Sequence, residues 1–337
     1  MTADEWLETL AATHLLEGST LQEVFTRASA EIQTDAEKLA DWFVRCEALT
    51  SFQAKQLLEG TGQNLLQGYY ELRDIIGRGG MGHVYLAWDR KHRQYAAIKV
   101  LKSKHGENSR GQRRFQREIE VNRRLEHPHL AKGLEAGKWK QTPFLAMEFV
   151  PGPTLYSLVQ KHGPMDPYWA CRWMADVASA LDYIHQGGVV HRDIKPSNAI
   201  VTPDRHAKLL DLGLARWFDD DHNEERVVGT NRVVGSFDYM APEQTLDSAR
   251  ADARSDIYSL GCMLYFLLAG HPPFRHAADR LEKAELHRTA PPPDLGAERP
   301  SLPARLVKEV HRMMAKDPRE RYSVAAEAES ALTGWVE

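Results

Sequence analysis

The chain has 337 residues, of which 43 are basic and 47 acidic, so its formal net charge is −4 with neutral histidines. Apolar residues make up 42% and charged residues 27%, a balance typical of globular proteins that excludes intrinsic disorder and collagen-like repeats. The longest apolar stretch, Leu260–Ala269, has about half the length that a membrane-spanning helix needs. The first ten residues are acidic rather than basic, so we expect no signal peptide, no membrane segment and a cytoplasmic location.

The charge is unevenly distributed along the chain. Residues 1–68 carry 11 acidic and 4 basic side chains, a net charge of −7, which leaves residues 69–337 with a net charge of +3. A change of this size at Gly68 predicts two regions with different roles, and we interpret the first as an acidic helical segment for regulation or docking. A net charge of +3 is too small to predict nucleic-acid binding by the second region.

The first region has the pattern of several short helices. One or two helices are predicted over Asp4–Leu16 and Leu21–Ile32. Asp35 can cap the next helix, and Thr50 with Gln53 has the spacing of a capping box that opens another. Nothing in this region resembles a catalytic combination of side chains.

From Tyr69 the apolar pattern changes from helical to alternating. Strands are predicted over Tyr70–Ile75, His83–Trp88, Tyr95–Val100 and Phe144–Val150, with a basic amphipathic helix over Arg110–Glu126. Beyond Pro151 the pattern is mainly helical, with strand-like fragments at Ile200-Val201 and Lys208-Leu209. The order predicts an α+β fold, in which a small β-rich lobe over about 69–150 precedes a large α-rich lobe over about 151–333.

A glycine cluster with the spacing G-x-G-x-x-G is formed by Gly77, Gly79 and Gly82. A dinucleotide-binding fold needs a helix directly after these glycines, whereas His83–Trp88 alternates as a strand does. The loop therefore joins two antiparallel strands, an arrangement in which a hairpin can lie over nucleotide phosphates. Taken alone, the cluster is equally compatible with a plain glycine-rich hairpin.

Four motifs and one acidic residue follow the glycine cluster. They are Ala97-Ile98-Lys99, Glu118, His191–Asn198, Asp211-Leu212-Gly213 and Ala241-Pro242-Glu243. With these motifs, residues 69–333 resemble the eukaryotic-like (Hanks-type) Ser/Thr protein kinases, most of all their bacterial members. The resemblance implies a bilobal protein kinase fold, preceded here by the small all-α segment of residues 1–68.

The resemblance implies transfer of the γ-phosphoryl group of ATP to Ser or Thr hydroxyls of protein substrates. Asp193 would orient the hydroxyl and accept its proton, and Lys195 would stabilise the transferring group. Tyrosine kinases usually lack a lysine at this place, so Lys195 indicates Ser/Thr substrates. Lys99, held by Glu118, would bind the α- and β-phosphates.

The resemblance also implies the cofactor-binding residues. Asp211 and Asn198 would bind Mg²⁺, which prefers hard oxygen ligands. The adenine of ATP would lie among apolar side chains and two backbone hydrogen-bonding positions, with Met147 as the gatekeeper. These adenine-pocket residues are Ile76, Val84, Ala97, Met147, Glu148, Val150 and Ile200.

Regulation by phosphorylation is a further implication. Arg192 precedes the catalytic Asp193, and in such kinases its anionic partner is a phosphorylated residue of the activation segment. The predicted phosphorylation sites in this segment are Thr230 and Ser236, modified in trans through self-association.

Three residues have predicted structural roles. Glu243 would form a buried ion pair with Arg321, and Asp256 would hold the backbone of the catalytic loop.

Two other functions stay open at this point: a small-molecule phosphotransferase of related fold, and a catalytically weak scaffold or signalling adaptor.

The acidic first region and the basic helix over 110–126 suggest an intramolecular contact. Residues 1–68 would dock on the small lobe near this helix and influence Glu118. A solvated helical appendage is the alternative.

Overall fold

The structure is a computed structural model of the chain, and it describes residues 1–78, 82–101, 119–120, 124–139, 142–210, 216–217, 237–246 and 251–336. The described residues form two compact units. The first lies within 1–112 and 133–149, and the second within 113–132 and 150–337. The boundary predicted at residue 68 therefore falls inside the first unit.

Short helices occupy the start of the first unit. They are α1 (Ala3–Thr13), α2 (Gly18–Thr26), α3 (Ala30–Gln33), α4 (Ala36–Arg45) and α5 (Ser51–Leu58). The two predicted caps are confirmed, because Asp35 accepts hydrogen bonds from the first turn of α4 and Thr50 forms a capping box with Gln53. Apolar side chains from α1, α4 and α5, such as Trp6, Phe43 and Leu57, are fully buried in a core of their own.

A six-stranded antiparallel sheet completes the first unit, in the order β1-β2-β3-β4-β6-β5. Its strands are β1 (Leu66–Gln67), β2 (Tyr70–Arg78), β3 (Gly82–Asp89), β4 (Gln94–Leu101), β5 (Gly133–Trp139) and β6 (Thr142–Glu148). Four of these strands match predicted ones, whereas β5 has no counterpart among the predictions. Its two glycines lower strand propensity, but Gly137 is required because a Cβ there would lie 2.9 Å from the Phe144 ring.

Polar contacts join α5 to β2 within the first unit. The Thr50 hydroxyl donates to the carbonyl of Arg73 at 2.7 Å. The Gln53 amide donates to Glu71 Oε1 at 3.1 Å and to the carbonyl of Leu72 at 3.0 Å. Gln53 and Glu71 are both buried, so these bonds satisfy polar groups that are removed from water.

Arg90, just after β3, makes a second polar contact with the helical segment. Its guanidinium donates to the carbonyls of His14 and Leu15 at 3.0 and 2.6 Å, and it pairs with Glu71 at 3.1 Å. These carbonyls follow the C-terminus of α1, where a cation is electrostatically favourable. The basic helix predicted over 110–126 lies mostly outside the described residues.

The second unit is mainly helical. Eight of its α-helices are α6 (Leu155–His162), α7 (Pro167–Gln186), α8 (Pro242–Leu246), α9 (Ala253–Ala269), α10 (Arg280–Thr289), α11 (Leu295–Glu298), α12 (Ala304–Met313) and α13 (Ala325–Thr333). Short strands are β7 (Val189–Val190), β8 (Ala199–Val201), β9 (Ala207–Leu209) and β10 (Arg216–Trp217). The pairs are β7 with β10 and β8 with β9.

Helix α9 is the centre of the second unit. Every residue from Ser255 to Leu268 is buried, as expected for a helix that is apolar on all sides. Among the described helices, none combines the length and hydrophobicity needed to cross a membrane.

Candidate active site

The loop His191–Asn198 connects β7 to β8 and brings three predicted residues together. Lys195 Nζ lies 2.6 Å from Asp193 Oδ2. The Asn198 amide nitrogen donates to the Asp193 carbonyl at 2.9 Å and to Asp193 Oδ2 at 3.2 Å. The Asp193 carboxylate is therefore fixed from two sides, with both donors on the same oxygen.

Asp256, at the start of α9, anchors the backbone of this loop. Its two oxygens accept from the N–H groups of His191 and Arg192, each at 2.8 Å, and His185 Nε2 lies 2.8 Å from Oδ2. Burial opposes ionisation of this carboxyl. The hydrogen bond and charge of His185, with His191 and the Arg192 N–H, outweigh burial and lower the pKa of Asp256.

The backbone of Arg192 is left-handed, with φ of 68°. This conformation is unfavourable for a residue with a side chain, so the surroundings must hold it. Asp256 holds the Arg192 N–H, and the amide of Gln244 in α8 donates to the Arg192 carbonyl at 3.2 Å. The Arg192 guanidinium itself reaches the carbonyl of Ala251 at 3.4 Å.

Glu243 and Arg321 form a doubly hydrogen-bonded ion pair, with distances of 2.8 and 2.9 Å. Arg321 is 2% exposed, and it also donates to the carbonyls of Arg254 and Ala315. The Ser255 hydroxyl donates to Glu243 at 2.6 Å. The full set of partners explains how a charge pair is kept out of water.

In the first unit, strand register places several predicted residues on one face of the sheet. Val84 lies opposite Lys99, and Ala97 lies opposite Met147. Directly opposed residues of antiparallel strands point to the same side, as do residues two apart on one strand. Val84, Ala97, Lys99 and Met147 therefore share a face, and Lys99 is a buried cation on it.

The remaining predicted residues occupy separate places. Gly77 lies in β2 opposite Val84, with Ile76 before it, and Glu148 ends β6. Gly82 begins β3, where a Cβ would lie 1.9 Å from the Val100 carbonyl oxygen, so strand pairing alone requires glycine there. Two adenine-pocket residues, Val150 and Ile200, belong to the second unit. The predicted residues outside the described part of the chain are Gly79, Glu118, Asp211, Thr230 and Ser236.

Two residues of the catalytic-loop surroundings have no role among the predictions. Gln244 is buried, and its amide oxygen accepts from the Ala241 N–H while its nitrogen holds the loop. His185 is the side-chain partner of Asp256. His185 is a polar residue at an apolar position of α7, and that is the sequence signal that could have identified it, whereas the polar sequence of α8 gives no such signal for Gln244.

The described residues fit the family cofactors in their chemistry. Because the Asn198 amide nitrogen faces Asp193, its amide oxygen is turned away from that residue and is a hard ligand of the kind Mg²⁺ prefers. Lys99 supplies a cation for phosphate on the sheet face described above.

A central buried helix, a separate antiparallel sheet and an Asp-Lys-Asn catalytic loop define a phosphotransferase of the protein kinase class. In agreement, residues 70–333 match the family model described as protein kinase domain. The chain belongs to the protein kinase family, and its fold is the bilobal kinase fold that the sequence predicts.

Individual relatives are bacterial serine/threonine-protein kinases. PknB of Mycobacterium tuberculosis is 37% identical over 271 residues, covering 79% of this chain and 43% of PknB. PknD of the same species is 36% identical over 272 residues, covering 79% of this chain and 40% of PknD. The chain thus spans less than half the length of these relatives. The crystal structure of the M. tuberculosis PknI kinase domain has a TM-score of 0.62 and 30% identity, covering 80% of this chain and 96% of that domain.

Proposed function

We propose that this chain is an ATP-dependent protein kinase that phosphorylates Ser and Thr hydroxyls of proteins. The observation that carries the proposal is the fixed Asp193 carboxylate, with Lys195 and Asn198 both on Oδ2. A carboxylate held in this way is suited to position a hydroxyl and accept its proton. The similarity to the serine/threonine-protein kinases PknB and PknD supports Ser and Thr as the acceptor residues.

The loop geometry supports a different role for each oxygen of the Asp193 carboxylate. Since Lys195 and Asn198 occupy Oδ2, Oδ1 is the oxygen that orients the substrate hydroxyl and takes its proton. Lys195 adds a positive charge beside the reacting oxygen, which stabilises negative charge that develops there. Bound ATP supplies the phosphoryl group, with Mg²⁺ neutralising its charge. Asn198 and Asp211 would hold Mg²⁺, and Lys99, paired with Glu118, would hold phosphate.

A groove beside the catalytic loop supports a peptide substrate. It has a volume of about 380 Å³, lies within the second unit, and includes Lys195, Ser197, Tyr239 and Phe266 among its walls. An open groove with aromatic walls beside the reacting groups can accommodate an extended segment of protein.

A radiolabel transfer assay tests the proposal. The purified chain with ATP, MgCl₂ and a general protein substrate should label Ser and Thr, and Asp193→Ala should lower the rate by several orders of magnitude. The matched control is Asp204→Ala, which removes an exposed aspartate from the same unit. Equal labelling by wild type and Asp193→Ala would contradict the kinase function and favour a scaffold. Labelling of small molecules but not of protein would favour a small-molecule phosphotransferase.

Autophosphorylation of the activation segment is part of the proposal. Thr230 and Ser236 are its sites, and transfer between two self-associated copies would give Arg192 an anionic partner. Mass spectrometry of wild type and Asp193→Ala should show phosphate at Thr230 in the active protein alone. An unmodified Thr230 in active protein, with Thr230→Ala fully active, contradicts this part.

The contacts of residues 1–68 lead us to propose that this segment docks on the small lobe and regulates it. Arg90 and Gln53 make the polar contacts described above, and Glu71 receives both of them. Arg90→Ala should lower kinase activity and the melting temperature. Both decreases should be smaller at high salt, because salt screens the charge of Arg90 in the wild type. The control is Arg27→Ala, which removes an exposed arginine within residues 1–68. If both variants match wild type, the segment is an appendage.

A further inference from the structure

A cluster of two imidazoles and one carboxylate lies in the second unit, outside the catalytic loop. His129 belongs to the segment before β5, Asp176 to the middle of α7, and His206 to the turn between β8 and β9. One ligand atom of each side chain lies within 4.8 Å of those of the other two. Nothing in the kinase mechanism uses these side chains.

The distances in the cluster are those of metal ligands. His129 Nε2 lies 3.5 Å from Asp176 Oδ1, and His206 Nδ1 lies 3.4 Å from the same oxygen and 3.2 Å from Oδ2. With Zn–N and Zn–O bonds of about 2.0–2.2 Å, tetrahedral ligands stand about 3.3 Å apart. Two of the three separations therefore already fit, and a modest inward rotation of the imidazoles would bring the third into range.

The hydrogen bonds of His129 decide which nitrogen faces the carboxylate. His129 Nδ1 lies 3.0 Å from the carbonyl oxygen of Ala207, and a carbonyl only accepts, so Nδ1 carries the proton. In the neutral ring the lone pair of Nε2 then points at Asp176. Two electron-rich atoms that face each other at 3.5 Å need a positive charge between them, which either a second proton on His129 or a metal ion supplies. A backbone carbonyl that orients a histidine by its other nitrogen is also the usual support of a metal ligand.

Asp176 is positioned by the same hairpin. Its Oδ2 accepts from the Ala207 N–H at 2.8 Å, so one residue of β9 orients two of the three ligands. The side chains of His129 and Asp176 are 18% and 12% exposed and that of His206 is 38% exposed, which leaves an approach for an ion and for a water as fourth ligand.

One neighbouring cation competes with a metal. An Arg172 guanidinium nitrogen lies 3.3 Å from His206 Nε2. Donation from Arg172 to Nε2 places the proton of His206 on Nδ1, the atom that would ligate. Metal binding at Nδ1 therefore requires Arg172 to rotate away.

We propose that His129, Asp176 and His206 form a binding site for one divalent transition metal ion, with Zn²⁺ the best match to a set of two nitrogens and one oxygen. The metal fastens the β8–β9 hairpin to α7. This hairpin starts directly after Asn198 and continues into Leu210, whose N–H donates to the Asn198 carbonyl at 2.7 Å. The metal thus stabilises the support of the catalytic loop without contacting it.

Calorimetric titration of the chelator-treated full chain with ZnCl₂ tests the site. Excess MgCl₂ is included, because Mg²⁺ occupies oxygen sites and leaves histidine sites open. Wild type should bind one Zn²⁺ tightly, and His206→Ala and His129→Asn should each weaken binding by at least about tenfold. Arg172→Gln should strengthen binding, since it removes the competing cation. The matched control His276→Ala, an exposed histidine, should bind as wild type does.

Two further readouts separate a lost ligand from a misfolded variant. Zinc should raise the melting temperature of wild type and leave that of His206→Ala unchanged, while both proteins melt alike after chelation. Bound Co²⁺ should give the visible spectrum of a four-coordinate site in wild type only. If wild type binds Zn²⁺ no better than His206→Ala, or if Arg172→Gln weakens binding, the proposal is overturned and the cluster is a hydrogen-bonded one with a protonated His129.

Discussion

The catalytic loop of the second unit and the sheet face of the first are held by different physical means. The loop has irregular backbone, including the left-handed Arg192, and single side chains hold it: Asp256, and Gln244, the residue after Glu243 of the Glu243–Arg321 pair. The sheet face that carries Lys99 is regular, and main-chain pairing between β3, β4 and β6 holds it. Irregular geometry thus depends on single side chains, whereas regular geometry is shared among many backbone groups.

The comparison predicts the largest loss of stability in the second unit. Arg321→Ala leaves Glu243 buried without its partner and frees three backbone carbonyls, which should cost about 3–5 kcal/mol of unfolding free energy. Urea unfolding followed by circular dichroism measures it. A loss below about 1 kcal/mol would show that the loop support does not depend on this pair.

A buried histidine should make the second unit sensitive to acid. Burial, followed by the charge of Lys316, lowers the pKa of His287 to about 3 from its ordinary 6.5. Between pH 6.5 and pH 3 the unfolded chain binds a proton at His287 that the folded protein excludes. Above pH 6.5 this difference has no effect on the free energy of unfolding, which then decreases as the pH falls from 6.5 towards 3. The loss should be roughly 1.4 kcal/mol for each pH unit.

The variant His287→Gln isolates this contribution of the histidine to acid sensitivity. Its unfolding free energy, measured between pH 7 and pH 4.5, should fall less steeply than that of wild type. Parallel curves for the two proteins would contradict the prediction.

In the first unit too, a buried carboxylate depends on single side chains: Glu71 and its partners Gln53 and Arg90. Gln53→Ala removes hydrogen bonds to Glu71 and to the Leu72 carbonyl, which should cost about 2 kcal/mol. The exposed Gln22 on α2 provides the control Gln22→Ala, which should leave the unfolding midpoint unchanged. Equal midpoints for both variants would mean that the hydrogen bonds of Gln53 to Glu71 and Leu72 do not stabilise the unit.

The smallest effect is expected for the exposed Arg319–Asp317 pair, next to Arg321 in the sequence. Two nitrogens of the Arg319 guanidinium donate hydrogen bonds to Asp317. The Arg319 side chain is 83% exposed, so water replaces the interaction at little cost. Arg319→Ala should leave the melting temperature unchanged within error. A clear decrease would show that proximity to the buried pair, rather than burial itself, sets the cost.

Local sequence signals were sufficient for the caps at Asp35 and Thr50 and for the kinase family. They depend on residues within a few positions of each other, or on motifs that occur in a fixed order. Strand β5 was missed because its two glycines lower strand propensity, and the need for one of them, Gly137, comes from the Phe144 ring on the neighbouring strand. Gln244 was missed for a similar reason, since its partner, the Arg192 carbonyl, is 52 residues away.

The pairing of β1 with β2 has a consequence for any attempt to separate the kinase domain from what precedes it. The family match begins at residue 70, yet Leu66 and Gln67 pair with Glu71 and Tyr70 across that point. A chain cut there would lose an edge strand, the Gln53 partner of Glu71 and both carbonyls that Arg90 binds. The family match therefore begins inside the first compact unit, at a point that strand pairing and side-chain hydrogen bonds cross.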